Sequence, residues 1–293
     1  MNQQKVHTNG VGIQIEDHDG SGDAVLFLHF GGSNLRMWDP VLPFFTANYR
    51  CIAVDLRGHG KSDAPAAGYH IDDMADDLIG VLDGLEIDQA HVIGSSIGAE
   101  VGLSLAARYP NRVMSFVADG ALCSEYGSYG TRTADSLAED EEVKLMLEKR
   151  KAASEPVYDS PQTLLEKSST FYKDCGFWNP AVKAMLSYAV AKNEQGDVIN
   201  AWRKHASDAY MDIYFDLRFE EYYARVRCPV LMLPEQDDMD DEAMLGIMTR
   251  LSKLTLQCEM AQVPDHIHPF GWMLAPGPVS EAVLAFYERL AKD

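Results

Sequence analysis

The chain has 293 residues, of which 46% are hydrophobic and 24% are charged, a composition typical of a globular protein with a large buried core. Its formal net charge of -20 argues against electrostatic binding of nucleic acid or of an anionic membrane surface. The five cysteines are scattered and include no Cys-x-x-Cys pair, and the first residues contain no apolar signal region, so we expect a reduced, cytoplasmic location.

The first 122 residues alternate β-rich runs with helical stretches, which indicates a mostly parallel sheet covered by helices on both faces. The predicted elements are an edge strand at 11–16, a buried strand at 24–29, a helix at 37–47, a buried strand at 51–55, a helix at 72–85, a strand at 90–93, a helix at 98–109 and a strand at 113–118.

Residues 123–226 lack the buried-strand runs and show amphipathic helical patterns that are rich in aromatic residues. The alternation then resumes with a strand at 228–233, a helix at 241–252, a strand at 254–263 and a closing helix at 280–291. The sequence therefore predicts a core built from residues 1–122 and 227–293, with residues 123–226 inserted after the sixth strand as a helical cap.

A Gly-x-Ser-x-Gly motif, Gly94-Ser95-Ser96-Ile97-Gly98, connects a predicted strand to a predicted helix. A serine at the apex of such a sharp turn is held in a strained backbone conformation that exposes its hydroxyl group above the sheet. The next backbone N–H, from Ile97, and the positive end of the helix point to the same place. The motif therefore predicts that Ser96 is a nucleophile.

A serine nucleophile needs a base to remove its proton and an acid to orient that base. Asp237 and Asp238 follow one predicted strand, and His266 and His268 follow the next. Because functional groups gather at the carboxyl ends of strands in open α/β sheets, either aspartate and either histidine could complete the site.

Taken together, these motifs resemble the α/β-hydrolase family, in its cap-bearing branch of esterases, lactonases, C–C bond hydrolases and cofactor-free haloperoxidases. The resemblance covers nearly the whole chain and rests on Leu-His-Phe-Gly-Gly at 28–32, Asp-Leu-Arg-Gly-His-Gly-Lys-Ser at 55–62, the Ser96 turn, Cys-Pro-Val-Leu at 228–231 and the C-terminal histidine loop. It implies an α/β fold with a mostly parallel, eight-strand-type sheet, helices on both faces and a helical cap after strand 6.

The resemblance also implies specific members of a Ser-His-Asp triad. The family usually has Gly-x-x-Asp in the acid loop, and its alignment with residues 234–237 favours Asp237 over Asp238. The family's histidine usually lies four positions after a proline, which favours His268 over His266 because residue 264 is proline.

The oxyanion loop departs from the family pattern. The family normally has His-Gly-x, whereas Phe30 follows His29 in this chain. We therefore expect the backbone N–H groups of Gly31 and Ile97 to form the oxyanion hole, with Phe30 as the alternative to Gly31.

The resulting hypothesis is a serine hydrolase that cleaves a small or medium carboxylic ester, lactone or related acyl substrate through an acyl-enzyme. No metal or organic cofactor is expected, because the His-x-His pair at 266–268 lacks further ligands at motif spacing. The expected partner is the small-molecule substrate, with no nucleic acid or membrane, and the oligomeric state stays open, a homodimer included.

The sequence is also compatible with two alternative functions. One is a C–C bond hydrolase of the meta-cleavage type, whose pocket would need a basic residue for a dienoate carboxylate. The other is a low-turnover ligand receptor or signalling partner with the same fold, since fold and triad alone do not prove turnover.

Overall fold

An eight-stranded sheet forms the centre of the computed structural model, which describes residues 1–292. The strands of the protein are β1 (Asn2–Thr8), β2 (Val11–His18), β3 (Ala24–Leu28), β4 (Arg50–Val54), β5 (Ala90–Ser95), β6 (Val113–Asp119), β7 (Val190–Lys192), β8 (Val198–Asn200), β9 (Val230–Met232) and β10 (Cys258–Met260). The order in the large sheet is β1-β2-β4-β3-β5-β6-β9-β10. Strand β2 pairs antiparallel with β1 and β4, and the pairings from β4 to β10 are parallel, which confirms the predicted mostly parallel sheet.

Helices cover both faces of this sheet. The α-helices are α1 (Leu42–Phe45), α2 (Ile71–Gly84), α3 (Ile97–Arg108), α4 (Glu141–Ala152), α5 (Pro161–Asp174), α6 (Pro180–Tyr188), α7 (Lys204–Tyr214), α8 (Phe219–Tyr223), α9 (Gln236–Asp240), α10 (Glu242–Ser252), α11 (Gly271–Leu274) and α12 (Pro276–Leu290). None of these helices combines the length and the apolar character needed to cross a bilayer, a statement that covers residues 1–292.

Strand alternation divides the buried side chains between two cores. In β3, Leu26 and Leu28 pack on one face with α2 and α3, whereas Val25 and Phe27 pack on the other with α1 and α12. Successive side chains of a strand point to opposite faces, so a continuous apolar run of this kind fits a strand that is buried on both sides. The predicted buried strand at 24–29 is confirmed in this way.

The segment between β6 and β9 contains helices α4 to α8 and the antiparallel hairpin β7–β8, which the sequence did not predict. Three of its side chains contact residues just after β3, β4 and β5, in two loops and in the first turn of α3. Tyr188 bonds Asp55, Tyr210 bonds Glu100, and Trp202 lies against the loop at residues 31–32. The segment between β6 and β9 therefore lies against the carboxyl end of the sheet, where functional groups are expected to gather.

Candidate active site

Ser96 lies in the turn that connects β5 to α3. Its backbone has φ 52° and ψ -121°, a strained combination for a residue other than glycine. The turn also brings main chains very close together. A Cβ atom added to Gly94 would lie 2.4 Å from the Gly98 carbonyl oxygen, and one added to Gly98 would lie 2.1 Å from the Leu28 carbonyl oxygen. Both glycines of the motif are therefore required by the packing of the turn.

Asp119, the last residue of β6, is the buried carboxylate of the site. One oxygen accepts hydrogen bonds from Ser95 Oγ at 2.7 Å and Trp272 Nε1 at 2.6 Å. The other accepts bonds from His266 Nε2 at 3.0 Å and His268 Nδ1 at 2.8 Å. Burial alone would raise the pKa of Asp119, but the charge of His268 and the bonds from both histidines hold that pKa well below its usual range. The carboxylate is therefore ionised and fixed in orientation.

His268 is the histidine that reaches the serine turn. Its ring donates from Nδ1 to Asp119, and its backbone N–H donates to the carboxylate of Glu235. A Cβ atom added to Gly120 would lie 2.9 Å from Ser96 Cα and 3.1 Å from His268 Cε1. Ser96 and the His268 ring therefore lie close together, on either side of Gly120. Burial lowers the pKa of His268, but the charge and hydrogen bond of Asp119 outweigh it, and the net pKa is raised.

His266 contacts the same carboxylate from inside the protein. It is buried, and its Nδ1 atom has no hydrogen-bond partner among the residues that the structure describes. A Cβ atom on Gly271 would lie 2.0 Å from this Nδ1, so the ring packs directly against that backbone. His268 lines the cavity that contains Ser96, whereas His266 is not part of its wall.

The structure does not bring Asp237 to His268, and on this point the sequence-based prediction requires correction. Asp237 is exposed in the short helix α9. The helix begins with a capping box in which the side chains of Glu235 and Asp238 bind each other's backbone N–H groups, an arrangement that leaves Asp237 pointing to solvent. The carboxylate that pairs with His268 is Asp119, at the end of β6, the strand next to β9 in the sheet.

The loop after β3 forms a second wall beside the serine. The His29 ring donates from Nδ1 to the Phe30 carbonyl oxygen at 2.8 Å and accepts the Leu56 N–H at Nε2 at 3.0 Å, which fixes one neutral tautomer. Burial lowers the pKa of His29 to about 4, in agreement with a neutral ring. Phe30, Gly31 and Ile97, the three expected oxyanion residues, all line one cavity with the serine.

Trp202, from the inserted segment, packs on this loop. A Cβ atom added to Gly31 would lie 3.3 Å from Trp202 Cη2, and one added to Gly32 would lie 2.7 Å from Trp202 Cε3. The indole also stacks on His59, with ring centroids 5.1 Å apart. The insert therefore helps to hold the loop in place.

Two cavities of about 220 Å³ and 460 Å³ adjoin Ser96. Ser96, Glu100 and Tyr214 line both of them. His268, Glu235 and Asp238 line the smaller cavity, whereas the larger is lined mainly by aromatic side chains. Within residues 1–292, no group of three or more His, Cys, Asp or Glu side chains is arranged to hold a metal ion.

Comparison with known proteins agrees with this fold. A family model described as the alpha/beta hydrolase fold matches residues 23–268. The chain is 41% identical over 99 residues to a 2-(acetamidomethylene)succinate hydrolase of Mesorhizobium japonicum. This alignment covers 34% of the chain and 36% of that protein. The chain is also 39% identical over 115 residues to a 2-hydroxymuconate semialdehyde hydrolase of Pseudomonas sp. strain CF600. That alignment covers 38% of this chain and 41% of the relative.

These alignments span only about two fifths or less of the length of either relative. Over nearly the whole chain, the structure is similar to a crystal structure of E-2-(acetamidomethylene)succinate hydrolase. The TM-score is 0.74 and the identity 24%, with 98% of this chain and 99% of the other covered, a likeness of fold. Because the family model spans most of the sequence, the chain belongs to the alpha/beta hydrolase family.

Proposed function

We propose that the protein is a serine hydrolase that cleaves a small or medium carboxylic ester, lactone or related acyl compound. The observation that carries this proposal is the hydrogen bond of 2.8 Å between His268 Nδ1 and Asp119, formed beside the strained turn of Ser96. An ionised, fixed acid holds the histidine with Nδ1 protonated, which leaves Nε2 free to accept a proton. We assign Ser96 as nucleophile, His268 as base and Asp119 as the orienting acid.

The reaction proceeds in two acyl-transfer steps. Ser96 Oγ bonds to the substrate carbonyl carbon while His268 Nε2 takes the hydroxyl proton. The C–O bond to the alcohol then breaks, and His268 returns that proton to the departing alkoxide. Water attacks the acyl-enzyme by the same route, which releases the carboxylic acid and restores Ser96. Asp119 stays ionised throughout and stabilises the imidazolium form of His268.

The oxyanion of each tetrahedral intermediate is assigned to the backbone N–H groups of Ile97 and Gly31, with Phe30 as the alternative to Gly31. Ile97 is the first residue of α3, so its N–H has no partner within the helix. The fixed His29 ring holds the loop that carries the second donor. Loss of one such donor typically costs on the order of 100-fold in rate.

The small-molecule substrate is the proposed partner, and the cytoplasm is the proposed location, which the odd number of scattered cysteines favours. The division into a core (1–122 and 227–293) and a cap (123–226) is likewise a proposal, supported by the helices and hairpin between β6 and β9.

A second candidate is C–C bond hydrolysis, which the similarity to the 2-hydroxymuconate semialdehyde hydrolase favours. A dienoate carboxylate would need a cationic partner. Among the described residues, neither cavity beside Ser96 has a lysine or arginine in its wall. We therefore favour ester hydrolysis over C–C bond hydrolysis.

Labelling with a fluorophosphonate tests the proposal directly. Wild-type protein should be labelled and should hydrolyse short p-nitrophenyl esters, and Ser96→Ala should lose both. Asp237→Asn is the matched control, because it removes an exposed carboxylate outside the cavities. A folded wild-type protein that neither labels nor turns over esters would overturn the proposal and favour a receptor role.

A further inference from the structure

Glu100 is a buried acidic residue beside Ser96 that the proposed reaction does not use. It lies one helical turn after the serine, and its backbone N–H donates to the Ser96 carbonyl oxygen at 3.1 Å. Four residues of α-helix rise about 6 Å, so the carboxylate lies near the reacting centre. Glu100 is only 5% exposed and lines both cavities.

One oxygen of this carboxylate remains available. Oε2 accepts a hydrogen bond from Tyr210 at 2.6 Å, whereas Oε1 has no hydrogen-bond partner in the described residues. Of the other two carboxylates of the smaller cavity, Glu235 accepts the His268 backbone N–H and caps helix α9. Asp238 caps the same helix through Oδ2 and lines only the smaller cavity. Among the described residues, Glu100 is therefore the acidic group that lines both cavities, and one of its oxygens is available to a ligand.

The surroundings favour a cation as that ligand. Six aromatic rings line the larger cavity together with Glu100, and the faces of such rings attract ammonium groups. They belong to Phe30, Tyr172, Trp202, Tyr210, Tyr214 and Phe270. Within residues 1–292, no lysine or arginine lines either cavity, so no permanently charged protein cation lies in the cavity walls beside the carboxylate.

We propose that the cavity binds a substrate ammonium group, protonated or quaternary, and that Glu100 is the residue that selects for it. The ester would carry this cation in its acyl or alcohol part, a few ångströms from the carbonyl held by Ser96. This inference rests on the proposed function, since it names the substrate class of that same site.

The protonation behaviour of Glu100 is in keeping with this role. Burial raises its pKa to about 7, with opposing effects from the Tyr210 hydrogen bond and the charge of His268. Burial opposes ionisation of the Glu100 carboxylate, whereas a nearby cation favours it. Binding of an ammonium group would therefore leave Glu100 fully ionised.

A pair of substrates of equal shape tests the inference. Acetylcholine carries a quaternary nitrogen, and 3,3-dimethylbutyl acetate has a carbon at the same position. Wild-type kcat/KM should be on the order of 10-fold or more higher for the choline ester. In Glu100→Gln the ratio of kcat/KM for the choline ester to kcat/KM for the neutral ester should fall toward one. The main cause should be a higher KM for the choline ester. Glu281→Gln removes an exposed carboxylate of α12 and should keep the wild-type ratio.

Tyr210→Phe tests whether Glu100 recognises the charge of the substrate or only anchors helix α7. It removes the hydrogen bond to Glu100 but leaves the carboxylate, so the preference for the choline ester should persist. If Glu100 only anchors α7, Tyr210→Phe and Glu100→Gln should lower the activity toward both esters alike. That result, or a wild-type ratio near one, would overturn the inference.

Calorimetric binding of tetraethylammonium to Ser96→Ala distinguishes this inference from the proposed function, because it needs no turnover. We expect binding to weaken on the order of 10-fold in the Ser96→Ala, Glu100→Gln double variant. Binding without ester hydrolysis would contradict only the proposed function. Hydrolysis of the neutral ester without ammonium binding would contradict only the assignment of the cation site.

Discussion

Asp119 and His268 are 149 positions apart in the chain, yet their side chains meet in a hydrogen bond of 2.8 Å. The pairing of β5 with β6 places Asp119 beside Ser95, so the acid lies next to the serine turn. His268 reaches the same place from the loop after β10, at the far edge of the sheet. The three proposed triad members thus meet at the carboxyl end of two adjacent strands.

The identity of the acid can be tested with two asparagine variants. Asp119→Asn should lower kcat on the order of 1,000-fold or more, because an amide cannot hold His268 in the required tautomer or stabilise its charged form. Asp237→Asn should stay within about twofold of wild type, since Asp237 is exposed in α9. Steady-state ester hydrolysis measures both effects, and the opposite ranking would return the acid role to Asp237.

The two histidines of the loop should differ in their effect on rate. His268→Gln should lose fluorophosphonate labelling, because it removes the base that activates Ser96. His266→Gln should still be labelled but should unfold at a lower temperature, because His266 is buried and bonds Asp119 from within the core. Loss of labelling in a folded His266→Gln protein, with labelling retained in His268→Gln, would reverse the assignment.

The rate should depend on pH through His268. Catalysis requires the neutral ring, and Asp119 raises the pKa of His268 above the ordinary value of 6.5. As the pH falls through this raised pKa, the ring becomes protonated and kcat/KM drops, so the midpoint of the acid limb should lie above pH 6.5. A profile measured with a neutral ester checks this. If the limb vanished in Glu100→Gln, the titrating group would be Glu100 instead.

The sequence predicted the parallel sheet because its central strands are continuous apolar runs, as at β3 and β4. Strand β1 was missed because it is a polar, largely exposed edge strand with no such run. The hairpin β7–β8 was missed because three-residue strands have no measurable periodicity. Local patterns therefore indicate an element only when burial imposes a regular pattern over several residues.

The acid was mispredicted for a related reason. Family spacing favoured Asp237, but residue 119 also ends a buried strand and precedes a glycine, which is a sequence signal for an acid at this position. Spacing along the chain does not report which strand ends are neighbours in space. The parallel pairing of β5 and β6 decides this, and it places Asp119 beside the serine turn.

The free energy of unfolding should depend on pH because Glu100 is buried. Its pKa is raised from 4.5 to about 7, so between these values the folded state keeps a proton that the unfolded chain has released. Stability from this group is therefore lost as the pH rises from about 4.5 to about 7. Relative to wild type, Glu100→Gln should gain up to about 3 kcal/mol in unfolding free energy over that range. Urea unfolding at several pH values measures the gain, and Glu281→Gln should show no such trend.

The glycines of the serine turn should be intolerant of a methyl group, whereas a glycine elsewhere in a helix should not be. In Gly98→Ala the new Cβ would lie 2.1 Å from the Leu28 carbonyl oxygen, and the backbone of β3 cannot move aside cheaply. We expect a loss of more than about 2 kcal/mol in unfolding free energy.

Gly246→Ala is the matched control. Gly246 lies within α10, and the atom nearest to an added Cβ is the flexible Arg250 Nη1 at 3.5 Å. Alanine is the better helix former, so this variant should gain about 0.5 to 1 kcal/mol. Urea unfolding of the two variants side by side measures the difference. Equal stability would mean that α3 can shift away from β3, and the close packing of the Ser96 turn would then not be what holds the serine in its strained conformation.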